Sequence, residues 1–362
     1  MRRNNYNQRR NNIRDNKIRS AKSRNRRRNK NKRIIVLIMA LILVISGVSI
    51  FVHSRSKSKG INAAAKEEQI KEENNNNNEK AQANKEKAAN EEKKAQNEVA
   101  KGQNIISSAE SYAVPANEVA QMIAGNSKNN NKEIFLTFDD GPSPNTSKIL
   151  KILKEKGVHA TFFVMGNNLK DNKKNQQLLK DEFESGNAIA NHTLTHDYKK
   201  LYPNNRVNVP YFMKEVKDLN KMMENILGSN FDCRVLRMPG GYMSRRYYKD
   251  EGLPSLNKNL DENHITSIDW NASIGDGSSK HYTTKEIIAN SARYMKEQKH
   301  MILLMHDSGA KVETVKALPE LIDFYKEKGY SFKVIKNAPI DSFKDLNTNS
   351  TKTDSNQGQK DK

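Results

Sequence analysis

The chain has almost none of the residues that cross-link a protein. Its 362 residues include one cysteine, Cys233. A lone thiol excludes an intrachain disulfide framework and any cysteine-rich zinc module, and Cys233 reads as a small buried apolar residue. Acidic residues are nearly missing from the start of the chain. Residues 1–33 hold fifteen Lys or Arg and one acid, Asp15, which is +14 of the total +21. The remaining 329 residues hold 48 basic and 41 acidic side chains, leaving only +7. The basic character is therefore a tail. The rest of the chain lacks the basic residues interleaved with aromatics that a nucleic-acid face requires, so no nucleic-acid partner is expected.

Charge is absent from Ile34 to Val52, a run of nineteen residues (IIVLIMALILVISGVSIFV). At a rise of 1.5 Å per residue, such a helix is about long enough to cross a hydrocarbon core. The cations concentrated before it place the N-terminus in the cytoplasm and the rest of the chain outside. A cleaved signal peptide is the alternative, with Ala63-Ala64-Ala65 as a weak cleavage site. Apolar residues are scarce from 61 to about 104, a stretch of Ala, Lys, Glu, Gln and Asn that cannot bury a core. Residues 105–131 read as a continuation of that linker. The expected organisation is a basic cytoplasmic tail (1–33), a transmembrane anchor (34–52), an extracellular linker (53–131), a folded domain (132–340) and a polar tail (341–362).

The pattern changes at 132. Glu133–Phe138 (EIFLTF) is a short β-rich run, followed by a helix opening at Pro144-Asn145-Thr146. Ile149, Leu150, Ile152 and Leu153 lie on one helical face, and Gly157 sits where a helix-ending glycine belongs. Ala160–Val164 reads as the next strand, completing a β-α-β unit with parallel strands. Lys285–Gln298 reads as a helix, Met301–Met305 as a buried strand, Val312–Lys328 as a helix and Tyr330–Ile335 as a last strand. Repeated β/α units over about 210 residues suggest an α/β barrel of parallel strands, with chemistry at the strands' C-terminal ends.

Polar residues collect at those ends. Asp139 and Asp140 follow the first strand, and the turn at Gly141-Pro142 lets both carboxylates face one pocket. An Asp-Gly turn alone means little. His192 and His196 are four residues apart, a spacing that on a helical turn lets both reach one ion. With a carboxylate they form a two-histidine, one-aspartate set, which leaves coordination positions open for water and substrate. His306 closes the strand MILLM and is a general-acid candidate. Arg237 lies in RMPGG, whose glycines allow the backbone to approach a ligand closely.

TFDDG, HTLTH, RMPGG, a D-W strand and LLMH, in this order, resemble the NodB-homology polysaccharide deacetylases, carbohydrate esterase family 4. The resemblance covers about residues 132–337. It implies a distorted parallel (β/α) barrel of about seven strands. It also implies that Asp139 is the general base, supported by Arg237, and that Asp140, His192 and His196 hold the metal. His306 would be the general acid, and Leu304 would line the pocket for the acetyl methyl group. The family's third motif often reads R-P-P-Y, with the tyrosine backbone N–H serving the oxyanion. Here Gly240 keeps the N–H and loses the aromatic wall, for which Tyr242 is a substitute. The Asp supporting His306 is Asp276 by its spacing from Trp270, with Asp269 of the Asp269-Trp270 pair as the alternative. Trp270 joins the expected substrate-binding set.

The resemblance implies metal-dependent removal of N-acetyl groups from a polysaccharide. Zinc is the default ion for an Asp-His-His set, with cobalt, nickel or manganese as alternatives. A domain tethered outside the membrane meets peptidoglycan first, so the expected substrate is its N-acetylglucosamine. N-acetylmuramic acid, poly-N-acetylglucosamine and chitin oligomers are the other glycans. A non-catalytic tethered glycan-binding module is the competing class. No obligate protein partner is evident.

Overall fold

Nine strands organise the folded region. They are β1 (Ala113–Pro115), β2 (Glu133–Gly141), β3 (Thr161–Val164), β4 (Ala188–Asn191), β5 (Val235–Leu236), β6 (Thr266–Ser267), β7 (Ala272–Ser273), β8 (His300–His306) and β9 (Ser331–Lys336). They come from a computed structural model that describes residues 98–343 apart from Ser279 and Glu297. Every strand pairing in the sheet is parallel. From β2 the order runs through β3, β4 and β5 to β6 on one side, and through β8 to β7 on the other. The two ends of this seven-strand run, β6 and β7, are neighbours in the chain. The arrangement accords with the expected distorted barrel.

The alternation of side chains along β2 separates two cores. Ile134, Leu136 and Phe138 pack outward with Ile149 and Leu153 of the helix Thr146–Lys156. Phe135 points the other way, into a cluster with Phe163, Ala190, Val235 and Ile302. Gly157 ends that first helix at φ 60°, a left-handed conformation open to glycine without penalty. The later helices also form where expected, at Thr284–Ala292, opened by a Thr283/Glu286 capping box, and at Val312–Glu327.

The linker reading of 105–131 is corrected. Ile105 and Ile106 are buried, and β1 pairs with β9. The helix Ala116–Ile123 buries Ala116, Val119 and Met122 in the inner cluster beside Ile335 and Ala338. Asn104 donates to both Ile189 O and Ile335 O (3.0 Å each), while its Oδ1 accepts the Asn337 N–H at 2.8 Å. This segment closes the barrel at the end opposite Asp139 and His306. Its polar spacing hid it, because Asn104 is buried by hydrogen bonding rather than by hydropathy. The fold also runs past 340, with Phe343 buried.

Among the described residues no helix is long and apolar enough to cross a membrane. The expected basic tail and the span Ile34–Val52 lie outside the described residues.

Candidate active site

The mouth of the barrel forms where β2 ends. Asp139 on β2 is in register with His306 on β8. On the other edge Asp139 pairs with Phe163, and Gly141 pairs with Val164, so Asp140 is an extra residue in the strand. Its φ of 71° turns it out of the alternation. Two consecutive carboxylates thus reach one space. Asp140 Oδ1 lies 3.6 Å from His192 Nε2 and 3.9 Å from His196 Nε2, and Asp139 Oδ2 lies 3.8 Å from His192 Nε2.

The two histidines do not share a helical turn, which corrects that expectation. They sit in a loop after β4 in which Thr193 (φ 67°) and His196 (φ 55°) are left-handed. Side chains hold this loop. Asn191 Oδ1 accepts the Thr193 N–H at 2.8 Å. The Glu215 carboxylate accepts the Thr195 N–H at 2.7 Å and its hydroxyl at 2.9 Å. His192 Nδ1 is 2.8 Å from Arg237 O, which orients Nε2 toward Asp140. Burial, aided by the neighbouring His196, depresses the His192 pKa to about 3, so the ring is neutral with a lone pair to offer.

Arg237 is fully buried inside the barrel with its guanidinium over Phe163. It donates to Asp139 Oδ1 and to Thr137 Oγ1 at 2.8 Å each. It also donates to the carbonyls of Ile268 (3.0 Å) and Asp269 (3.1 Å). Burial raises the Asp139 pKa, and the Arg237 charge opposes that rise. A carboxylate in this balance is a better proton acceptor than a free one.

His306 Nδ1 is 2.8 Å from Asp276 Oδ1, and the His306 N–H donates to Asp276 Oδ2 at 2.9 Å. Thr314 Oγ1 donates to the same carboxylate. Burial pulls the His306 pKa down, but the bond and charge of Asp276, with the charges of Asp139 and Asp140, leave it raised overall. Asp269, the alternative partner, instead accepts the Tyr242 and Met243 N–H groups at 2.8 and 2.7 Å and anchors the loop after RMPGG. Trp270 backs that loop. A Cβ at Gly241 would come within 2.9 Å of its ring. Leu304 is nearly buried on β8, in register with Thr137 and Ser273.

Tyr242 is not the wall beside Gly240. Its hydroxyl accepts from Asn257 Nδ2 at 2.8 Å, and its ring packs against a separate cluster that includes Leu236 and Leu253. The space at Gly240 (φ 75°) is taken by Tyr198, whose hydroxyl a Cβ there would overlap.

The sequence reading missed Thr137, Asn191, Tyr198, Glu215 and Asp307. Asp307 is buried, accepts from Ser143 Oγ (3.2 Å) and Thr146 Oγ1, and donates its N–H to Asp139 O at 2.7 Å. Burial lifts its pKa to about 7, with the two hydroxyls pulling the other way. A Cβ on Gly141 would meet Asp307 Oδ2 at 2.7 Å, so glycine is needed at that point. The His-Asp pair closing MILLM was the available signal.

The donor atoms of Asp140, His192 and His196 all lie within 4.8 Å of one another. Two ligands about 2.1 Å from a tetrahedral zinc stand roughly 3.4 Å apart, so the set fits one divalent ion after a small contraction. A neutral buried imidazole with its second nitrogen engaged is the ligand such an ion takes.

A carboxylate–arginine pair and a histidine–aspartate pair share the mouth with three side chains that could hold one divalent ion, an arrangement suited to hydrolysis. Residues 126–253 match the family model described as polysaccharide deacetylase. A peptidoglycan-N-acetylglucosamine deacetylase of Bacillus cereus is 30% identical over 214 residues, covering 56% of this chain and 68% of that protein. The solved structure of a Streptococcus mutans CE4 esterase is 36% identical and superposes with a TM-score of 0.60, covering 66% of this chain and 99% of that one. The catalytic domain of a peptidoglycan N-acetylglucosamine deacetylase from Eubacterium rectale is 27% identical, with a TM-score of 0.50, covering 56% of this chain and 88% of that one. The chain belongs to the polysaccharide deacetylase family, carbohydrate esterase family 4.

Proposed function

We propose that this protein removes N-acetyl groups from N-acetylglucosamine in peptidoglycan, using a divalent ion, most simply zinc, held by Asp140, His192 and His196. The observation that carries this is the placement of Asp139 and His306 in register on adjacent strands, each with its own buried partner, with Asp139 3.8 Å from His192 of the ligand set. When bound there, a divalent ion supplies a Lewis acid for the acetamide carbonyl and lowers the pKa of a water molecule. Asp139 takes the proton of the attacking water, and Arg237 keeps the carboxylate aimed. The Gly240 N–H donates to the oxygen that gains charge. Leu304 and Trp270 shape the pocket around the acetyl group. His306, held by Asp276, gives its proton to the leaving amine. Acetate departs and a free amino sugar remains on the polymer. The peptidoglycan N-acetylglucosamine deacetylases of Bacillus cereus and Eubacterium rectale that resemble this chain support the same sugar.

Localisation belongs to the same reading. Residues 34–52 anchor the chain with residues 1–33 in the cytoplasm, and a spacer carries the domain outward. Protease added to intact cells releases the domain if this orientation is right, and leaves it protected if the orientation is reversed.

The direct test is acetate release from purified peptidoglycan by residues 98–343, with and without a chelator. Release that stops on chelation and returns with added zinc is expected. Full release in chelator overturns the metal assignment. No release from any N-acetylated glycan, with glycan binding intact, favours the tethered binding module.

A further inference from the structure

β3 lies between β2, which carries Asp140, and β4, which leads into the histidine loop. Its ladder ends where Val164 pairs with Gly141 on one side and with Asn191 on the other. Asp140 is the extra residue in that ladder, and both histidines lie beyond it. The chain that leaves β3 is therefore placed to reach the two ligand loops at once.

It bonds to both. The segment turns through Met165 into the short helix Gly166–Leu169. Toward the aspartate, the Met165 N–H donates to Gly141 O at 2.9 Å. Asn168 Nδ2 donates to Asp140 O at 2.8 Å and to Gly141 O at 3.1 Å. Toward the histidines, the Gly166 N–H donates to Thr193 O at 3.2 Å and the Asn167 N–H to Leu194 O at 2.7 Å. Both of these acceptors lie between His192 and His196. The approach is close, since a Cβ on Gly166 would overlap the Leu194 side chain and stand 3.0 Å from its Cα.

Asn168 is itself held. Its carbonyl accepts from Asn175 Nδ2 at 2.9 Å, and the same amide donates to Pro142 O at 3.1 Å. Asn172 caps the helix Lys173–Glu184 and fixes Asn175 by accepting its N–H at 3.1 Å. Two asparagine side chains thus occupy three consecutive carbonyls, those of Asp140, Gly141 and Pro142. Asp140 needs such support, because its φ of 71° is a backbone state that side-chain-bearing residues rarely adopt unaided.

We propose that Met165–Asn168 is a bracket that sets the distance between Asp140 and the histidine pair, with Asn168 as its positioning residue. The inference rests on the metal reading of Asp140, His192 and His196. Asn168 supplies no ligand and acts through the main chain of Asp140. The affinity of the site for a divalent ion is then governed in part by a third segment that contributes no donor atom to it.

The test measures the zinc affinity of the full-length chain by competition with a chromogenic chelator, for the parent and for Asn168→Ala, Asn168→Asp and Gly166→Ala. Asn168→Ala removes both donors. Asn168→Asp keeps the shape but, when ionised, offers only acceptors to the two carbonyls. Gly166→Ala forces the bracket away from the histidine loop. Each is expected to weaken zinc binding by about tenfold to a hundredfold, while the zinc-free protein keeps the parent's circular dichroism. Activity should fall at limiting zinc and recover as zinc is raised. Parent-level zinc affinity in the folded variants overturns the bracket. Loss of the zinc-free fold in all three also overturns it, since the segment would then support the barrel rather than the site. A parent chain that takes up no zinc overturns the metal reading itself, and the bracket with it.

Discussion

The barrel has two unequal halves. β2 and β8 run for nine and seven residues and bond to each other along seven consecutive register pairs. β5, β6 and β7 are two residues each. The long half positions Asp139 and His306 by its backbone ladder. The short half carries Arg237, Asp269, Trp270 and Asp276, and has too little ladder to hold them. Side chains do that work instead. Arg237 ties the carbonyls of Ile268 and Asp269, and Asp269 ties the loop at Tyr242 and Met243. Asn271 reaches across to β8, donating to His300 O at 2.9 Å and accepting the Ile302 N–H at 2.8 Å. A site can thus be assembled from one rigid wall and one wall stitched to it, and the stitches are the functional residues or their immediate neighbours.

The short half depends most on Arg237. Arg237→Met leaves the Asp139 carboxylate buried without its cation, a loss of about 3–5 kcal/mol for a broken buried pair. Chemical denaturation reads it as a lowered midpoint. A loss under 1 kcal/mol would mean that the short half stands without its central tie.

Asp139→Asn tests the rigid wall. The fold and the metal should remain, and turnover should fall on the order of a hundredfold or more. Asp140→Asn should lose metal as well as activity. Metal content set beside rate separates the two, and the opposite pattern would exchange their roles.

Asp276→Asn sharpens the contrast, because here the short half acts on the long. With Asp276 neutral, the burial that depresses the His306 pKa is opposed less, so that pKa falls. The general acid must be protonated, so the alkaline limb of the pH–kcat profile should move to lower pH. Activity near neutrality should fall by about tenfold to a hundredfold. An alkaline limb that stays in place would mean that Asp276 does not set the His306 pKa.

The smallest effect is expected at Asn271. Asn271→Ala removes two stitches to β8 and should cost about 1–2 kcal/mol. Because Asp276 and His306 lie outside those bonds, kcat should change little. A large drop in kcat would show that the seam positions the acid as well as stabilising the fold.

The same division decided what the sequence disclosed. β2, β3 and β8 were legible because runs such as EIFLTF and MILLM are long enough to carry a pattern. The helix after β2 was legible by its period and by Gly157. β5, β6 and β7 were not, since two residues have no periodicity. At the site, the order of the motifs picked out Asp139, Asp140, His192, His196, Arg237 and His306, all of which the structure brings to one mouth. The spacing from Trp270 selected Asp276, and His306 pairs with it. The backbone between the histidines was misread, because a left-handed Thr193 and His196 leave no trace in a four-residue interval. Tyr198 was missed because its position depends on an empty place at Gly240, two loops away in sequence. Asn104 and the segment around it were missed because a buried amide looks, in composition, like a linker.

That closing segment also fixes where any leash is tied. Chain entering at residue 98 joins the domain at the end opposite the mouth. For a protein anchored as proposed, the tether joins the back of the barrel and leaves the mouth free of it. Residues 53–97, fully extended, span no more than about 160 Å. The enzyme would then work within a shell of that depth above the membrane, and acetylated sugars farther out would be beyond its range.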